Sequence, residues 1–88
     1  MSAEPVPDLG RSLLDAYDES LPVVYGYLRR RVANDSTAQD LASETYLAAV
    51  NAVVSGTTRE VNVAWLLGIA RHKLLDHYRR QEREERKL

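Results

Sequence analysis

The 88 residues include no cysteine and no phenylalanine, and only one tryptophan and one methionine. Without cysteine the chain can form no disulfide framework, no thiolate zinc site and no cysteine nucleophile, a pattern that suits a reducing compartment. Long hydrophobic runs are also missing. The longest apolar stretches are a few residues, far short of a membrane span or the core of a signal peptide, so a cytoplasmic protein with no membrane contact is expected. With no Phe, the interior must be built mostly from Leu, Val, Ile and Ala, with one Trp and five Tyr as the aromatic complement. The length allows one small domain and no second core.

What is present is an ordinary globular composition, 44% hydrophobic and 28% charged, with a formal net charge of −1. That charge is unevenly placed. Residues 1–60 are net acidic, whereas residues 61–88 carry Arg71, Lys73, Arg79, Arg80, Arg83, Arg86 and Lys87 and are net basic. One reading of the basic end is a solvated helix, because its cations interleave with Glu82, Glu84 and Glu85 at one-turn spacing. The other is that the two parts of the chain meet two different partners.

Hydrophobic periodicity points to helices throughout, and no stretch alternates in the manner of a strand. The expected architecture is all-α, a small bundle of three to four helices. Residues 1–8 read as a flexible leader, with Pro5 and Pro7 opposing an early helix, and residues 9–88 as the domain. A first helix is expected from Leu9 to about Glu19, burying Leu13, Leu14 and Tyr17. Pro22 either kinks this helix or starts the next, with Ser20 as a possible cap. The segment from Pro22 to Val32 sets Val24, Tyr25, Leu28 and Val32 against the Arg29, Arg30, Arg31 cluster.

Ser36-Thr37-Ala38-Gln39 then reads as a capping box that opens a helix to about Val53. Its inward stripe would be Ala38, Leu41, Ala42, Thr45, Ala48, Ala49 and Ala52. The outer side, with Asp40, Ser43, Glu44, Tyr46, Leu47 and Val50, mixes acids with apolar groups, as a contact surface does. The same apolar groups could instead pack on a neighbouring helix. Residues 55–60 form a loop rich in small hydroxyl residues around Gly56. The final helix should begin near Val61 to Val63, with a core stripe of Val63, Leu66, Leu67, Ala70, Leu74 and Tyr78. Trp65 and Ile69 fall beside that stripe. They either stack on unpaired bases, bordered by Arg, His and Lys, or cover a second helix.

Catalysis has little support. His72, Asp76 and His77 lack metal-ligand spacing, there is no Gly-rich phosphate loop, and no nucleophile stands beside a base. No enzyme, cofactor, metal or small-molecule substrate is expected.

The capping segment with DLASETYLAAV, the loop, and WLLGIARHKLLDHYRR followed by an Arg/Glu tail resemble region 2 of the extracytoplasmic-function (ECF) sigma factors of the bacterial sigma-70 family. The resemblance covers about Leu14 to Arg83. It implies a helical domain that docks on the clamp helices of the largest (beta-prime) subunit of core RNA polymerase and recognises and melts the minus-ten promoter element in transcription initiation. It also implies an anti-sigma factor as a further partner. By position, the polymerase surface would be Asp40, Leu41, Ser43, Glu44, Tyr46, Leu47 and Val50. The loop from Ser55 to Asn62 would hold a flipped base, chiefly through Thr57, Thr58 and Arg59, with Asn62 at its end. Further DNA contacts would come from Arg71, His72, Lys73, His77, Arg79 and Arg80. Ser43 replaces a Gln usual in that family, His72 replaces a frequent Asn, and Val53 and Val54 stand where an aromatic is often found. The region 4 domain that normally follows is absent from this chain. The rival expectation is a helical protein-interaction module without DNA binding. A free-standing helix-turn-helix repressor fits poorly, because the loop is too long for that motif's turn.

Overall fold

The computed structural model describes residues 8–87 as three helices, α1 (Leu9–Arg29), α2 (Asp35–Ser55) and α3 (Val63–Arg86). The leader expected over residues 1–8 falls outside the described residues except for Asp8. That residue caps α1, its carboxylate accepting the Arg11 amide at 3.0 Å. The helices form an antiparallel bundle in which each touches both others. The all-α expectation holds, with three helices.

The two helical segments expected on either side of Pro22 are one helix. Pro22 sits inside α1 on the exposed side, so the backbone bond it omits, to the Asp18 carbonyl, falls where water can replace it. Ser20 therefore caps nothing. It is fully buried, and its hydroxyl bonds the Tyr17 carbonyl at 3.2 Å and shares a 2.6 Å bond with the Tyr46 hydroxyl of α2.

α2 also starts one residue before the expected box. Asn34, in extended backbone, is the cap and accepts the Thr37 amide at 2.8 Å, while Gln39 bonds the Asp35 carboxylate instead of reaching back to Ser36. The end of α2 is a Schellman closure. Gly56 takes φ 70°, and the Thr57 amide reaches back to the Ala52 carbonyl at 3.0 Å. Only glycine enters that left-handed conformation without a Cβ clash. Asn62 opens α3 by accepting the Trp65 amide at 2.8 Å.

The core is Leu13, Val24 and Leu28 of α1, Ala38, Leu41, Ala42 and Ala49 of α2, and Leu66, Ala70 and Leu74 of α3. Small residues dominate the α2 contribution, which lets the two flanking helices approach its backbone closely. Buried Thr45 satisfies its hydroxyl on the Leu41 carbonyl at 2.7 Å, and no buried side-chain polar atom among the described residues lacks a partner. Trp65 and Ile69 are half-buried against this core, which favours the helix-covering reading of both. Tyr78 is more exposed than a core residue, yet its hydroxyl donates to the Arg31 carbonyl and ties α3 to the turn after α1. Beyond Tyr78 every described residue of α3 is exposed. The last turns of the helix thus project past the rest of the bundle.

Candidate functional site

The loop between α2 and α3 is organised by its own hydroxyls. Ser55 donates to the Asn51 carbonyl at 2.7 Å, Thr57 donates to the Ala52 carbonyl at 3.3 Å, and Thr58 donates to the Glu60 carbonyl at 2.9 Å. These bonds stabilise one loop shape and commit the hydroxyl protons of Thr57 and Thr58, so that lone pairs and the exposed Arg59 guanidinium are what the loop presents outward. Asn62 is committed too. Its carbonyl oxygen caps α3, while its amide NH₂ and one oxygen lone pair stay uncommitted.

On α2 the expected contact residues separate by depth. Asp40, Ser43 and Glu44 are exposed, Leu47 is 62% exposed, and Val50 is also exposed. Leu41 is a correction: at 2% exposure it belongs to the core and forms the floor beneath Asp40 and Glu44, so it cannot itself contact a partner. Tyr46 is half-buried, held by the Ser20 bond and by an edge-on contact with Tyr17 at 4.9 Å between ring centroids. Burial raises the Tyr46 phenol above its ordinary pKa, partly countered by the Ser20 hydrogen bond, while Tyr17 adds to the rise.

The helical wheel alone does not show that the acids of α2 and the cations of α3 line the same depression. One stretch of this groove is walled by Glu44 together with Lys73, Asp76, Arg79, Arg80 and Arg83. The adjoining stretch is walled by Asp40 and Glu44 opposite His77, Arg80 and Glu84. Among the described residues no ion pair crosses from α2 to α3. The ion pairs found are Arg29 with Asp35 at 3.9 Å, Arg79 with Asp76 at 3.7 Å and Arg86 with Glu82 at 2.6 Å. All of these are solvent-exposed and contribute little to stability. Opposite charges therefore face each other across the groove without being paired.

Two of the expected DNA residues lie elsewhere. Arg71 and His72 border a separate shallow depression with Gly68 and Leu75. The expected DNA residues thus occupy three places: the loop, the α2–α3 groove with Lys73, His77, Arg79 and Arg80, and the Arg71 and His72 side. From Asn62 to Arg79, α3 spans about 26 Å at 1.5 Å per residue. That is the length of some seven or eight phosphates along one strand of a duplex.

Sequence reasoning missed a second feature. Leu14, expected in the core, is 75% exposed, and Tyr17 is also exposed. With Leu47, Val50 and Val54 they border an apolar groove between the start of α1 and the end of α2. The adjacency of Leu13 and Leu14 carried the signal, since two neighbours on a helix stand about 100° apart and only one can point fully inward. Among the described residues no cluster of His, Asp or Glu has the makings of a metal site, and no helix is long and apolar enough to cross a membrane.

A family model described as Sigma-70 region 2 matches residues 16–84, which takes in all of α2 and most of α1 and α3. Among curated proteins the chain is similar to the ECF RNA polymerase sigma factor BldN of Streptomyces coelicolor, with 39% identity over 64 residues, covering 72% of this chain and 24% of that protein. It is also similar to two proteins of Bacillus subtilis. The RNA polymerase sigma factor YlaC is 35% identical over 78% of this chain and 40% of its own length. The ECF RNA polymerase sigma factor SigX is 33% identical over 80% of this chain and 34% of its own length. The chain thus spans between a quarter and two fifths of the relatives it matches. No solved structure matches it significantly.

Proposed function

The chain belongs to the sigma-70 region 2 family, and from that premise we propose that it is the region 2 domain of an ECF sigma factor, a non-catalytic module of transcription initiation. It binds core RNA polymerase through the exposed side of α2, chiefly Asp40, Ser43, Glu44, Leu47 and Val50. It engages the minus-ten promoter element through the loop and α3. The observation that carries this reading is the family match across all three helices, joined to the placement of an ordered hydroxyl loop at the head of a helix whose far end is basic.

The physical division of labour follows. Cations at Lys73, Arg79 and Arg80 neutralise phosphate and hold the strand without reading its sequence. Sequence is then read where a base leaves the stack, and unstacking costs a few kcal/mol that the contacts in the pocket must offset. The loop suits that task, because backbone groups and hydroxyl lone pairs beside Arg59 can satisfy a base edge.

Two experiments test the proposal. Glu44→Arg reverses the charge of an exposed α2 residue and should abolish pull-down of core polymerase; undiminished pull-down would refute the polymerase assignment. Arg79→Ala combined with Arg80→Ala should weaken binding of the polymerase complex to single-stranded minus-ten DNA. It should also lower the log–log salt slope by about 1.4, which is about 0.7 for each phosphate that the variant no longer neutralises. An unchanged slope would remove these residues from the interface.

A second role is favoured by the apolar groove of Leu14, Tyr17, Leu47, Val50 and Val54. This face fits the apolar side of a helix, as an anti-sigma factor would supply, and it shares Leu47 and Val50 with the proposed polymerase surface. Regulator and polymerase would then compete for the same residues.

A further inference from the structure

The turn after α1 carries three consecutive arginines, and the structure gives each a different setting. Arg29, in the last turn of α1, faces the Asp35 carboxylate at 3.9 Å. The dipole of α1 favours a cation there, whereas Arg30 and Arg31 lie past the last helical residue. Both are exposed, and neither has an ion pair among the described residues. Arg31 is nevertheless held: its guanidinium carbon lies 3.9 Å from the centroid of the Tyr27 ring, and Nη1 donates to the Tyr27 carbonyl at 2.9 Å. Most of its N–H groups stay uncommitted. The Tyr78 hydroxyl donates to the Arg31 carbonyl, so the turn is fastened to α3 at the residue that precedes Arg79 and Arg80.

We propose that Arg30 and Arg31 form a second phosphate contact, gripping the backbone of the same nucleic acid that α3 holds through Arg79 and Arg80. This contact rests on the reading that α3 binds nucleic acid, and it brings the α1–α2 turn into that interface. Nucleic-acid backbone is the partner because the positive charge of the turn continues directly into Arg79 and Arg80 beside the Tyr78 anchor. A carboxylate on a protein would need only one such cation. Tyr78 stands about 24 Å beyond Asn62 at 1.5 Å per residue, so the turn meets the backbone about seven nucleotide steps from a base held at the loop. A strand touched by α3 alone can pivot about it, and a contact from a second element fixes its course. Arg31 is prepared for this task, since the Tyr27 ring and carbonyl have already removed rotamer freedom that a long cation loses on binding. No sequence is read there, because guanidinium contacts with phosphate carry no base information.

The test is binding of the chain to fluorescent oligonucleotides, one duplex and one single-stranded, titrated from about 50 to 300 mM salt. Arg30→Gln with Arg31→Gln should weaken binding about tenfold at the lowest salt and lower the log–log salt slope by about 1.8 on the duplex or about 1.4 on the single strand. A loss on the duplex alone places the contact on paired nucleic acid, and a loss on both places it on backbone of either kind; each supports the proposal. The control is Arg11→Gln, which removes a charge from an exposed position about 28 Å away along α1. An equal loss per charge there would show a net-charge effect and overturn the second contact. Arg79→Ala with Arg80→Ala separates the contact from the reading beneath it. If that pair weakens binding while the Arg30 and Arg31 pair does not, the second contact fails and the nucleic-acid reading of α3 stands. If neither pair weakens it, the reading of α3 fails and the second contact falls with it. Unchanged nucleic-acid binding by the Arg30 and Arg31 pair, with pull-down of core polymerase lost, would assign these arginines to an acidic protein surface and likewise overturn the proposal.

Discussion

Ser20 and Tyr46, 26 residues apart in sequence, share a 2.6 Å hydrogen bond between α1 and α2, and the serine is fully buried. This bond fixes the register of the two helices at mid-height of α2, between exposed Glu44 and Leu47. Ser20→Ala should destabilise the domain by about 1–2 kcal/mol, because the half-buried phenol is left without its partner. Tyr46→Phe should cost less, since the Ser20 hydroxyl retains the Tyr17 carbonyl. Urea unfolding of both single variants and the double variant gives the coupling directly, and additivity would show that the bond contributes nothing.

The raised pKa of Tyr46 has a defined sign for stability. A folded-state pKa above the unfolded value of 10.0 means that the folded protein keeps its proton where the unfolded chain loses it. Stability from this group is therefore intact below pH 10.0 and is lost as pH rises through the higher folded value. Tyr46→Phe should flatten the stability profile over that alkaline range, measured by thermal melts in steps of pH. An identical alkaline slope in the two proteins would rule out this contribution.

Helix capping separates two neighbouring positions. Asn34→Ala should cost about 1 kcal/mol, because it orphans the Thr37 amide, whereas Ser36→Ala should change stability by less than about 0.5 kcal/mol. Equal losses at both sites in chemical denaturation would contradict the capping geometry.

Gly56→Ala places a Cβ at φ 70°. Nothing lies within 4 Å of that Cβ, so the cost is conformational strain alone. About 1 kcal/mol is expected, or roughly 4–8 °C in the melting temperature of a domain this size. Because Thr57 closes on Ala52 through this turn, the proposed role of the loop predicts that the variant also weakens nucleic-acid binding.

The apolar groove gives a prediction with the opposite stability outcome. Leu14→Glu with Val54→Glu alters side chains that are 75% and 81% exposed, so melting should be nearly unchanged while binding of an apolar dye such as ANS falls. A marked loss of stability would mean that these residues are covered in solution.

The sequence made the bundle legible because its helical stripes are regular. Leu66, Ala70 and Leu74 recur at helical spacing, and the structure buries all three. The boundaries near Asn34 and Gly56 were marked by residues whose backbone preferences are strong. Pro22 misled because its usual effect, breaking a helix, depends on where the missing bond points, and that is a property of packing. Ser20 misled for the related reason that a small hydroxyl looks like a cap until a partner from another helix is placed against it. For the candidate site, the exposure of Asp40, Ser43, Glu44, Leu47 and Val50 agrees with the side assigned to them, and Leu41 lies inward as its helical stripe placed it, not with the contact residues among which the resemblance set it. The shared groove was not legible, because each helical wheel describes one helix and the facing of Glu44 with Lys73 is a relation between two.

α3 runs unbroken for 24 residues, from a cap in the loop to a basic end that outreaches the bundle. Such a rod transmits phase as well as distance. Adding one residue in its middle would turn everything beyond it by about 100° and advance it by about 1.5 Å, swinging Arg79 and Arg80 off their bearing while leaving the loop untouched. Adding four would advance the basic end by about 6 Å but bring its heading back to within about 40°. The helix therefore sets both the interval and the angle between the loop and the positive charge at its far end.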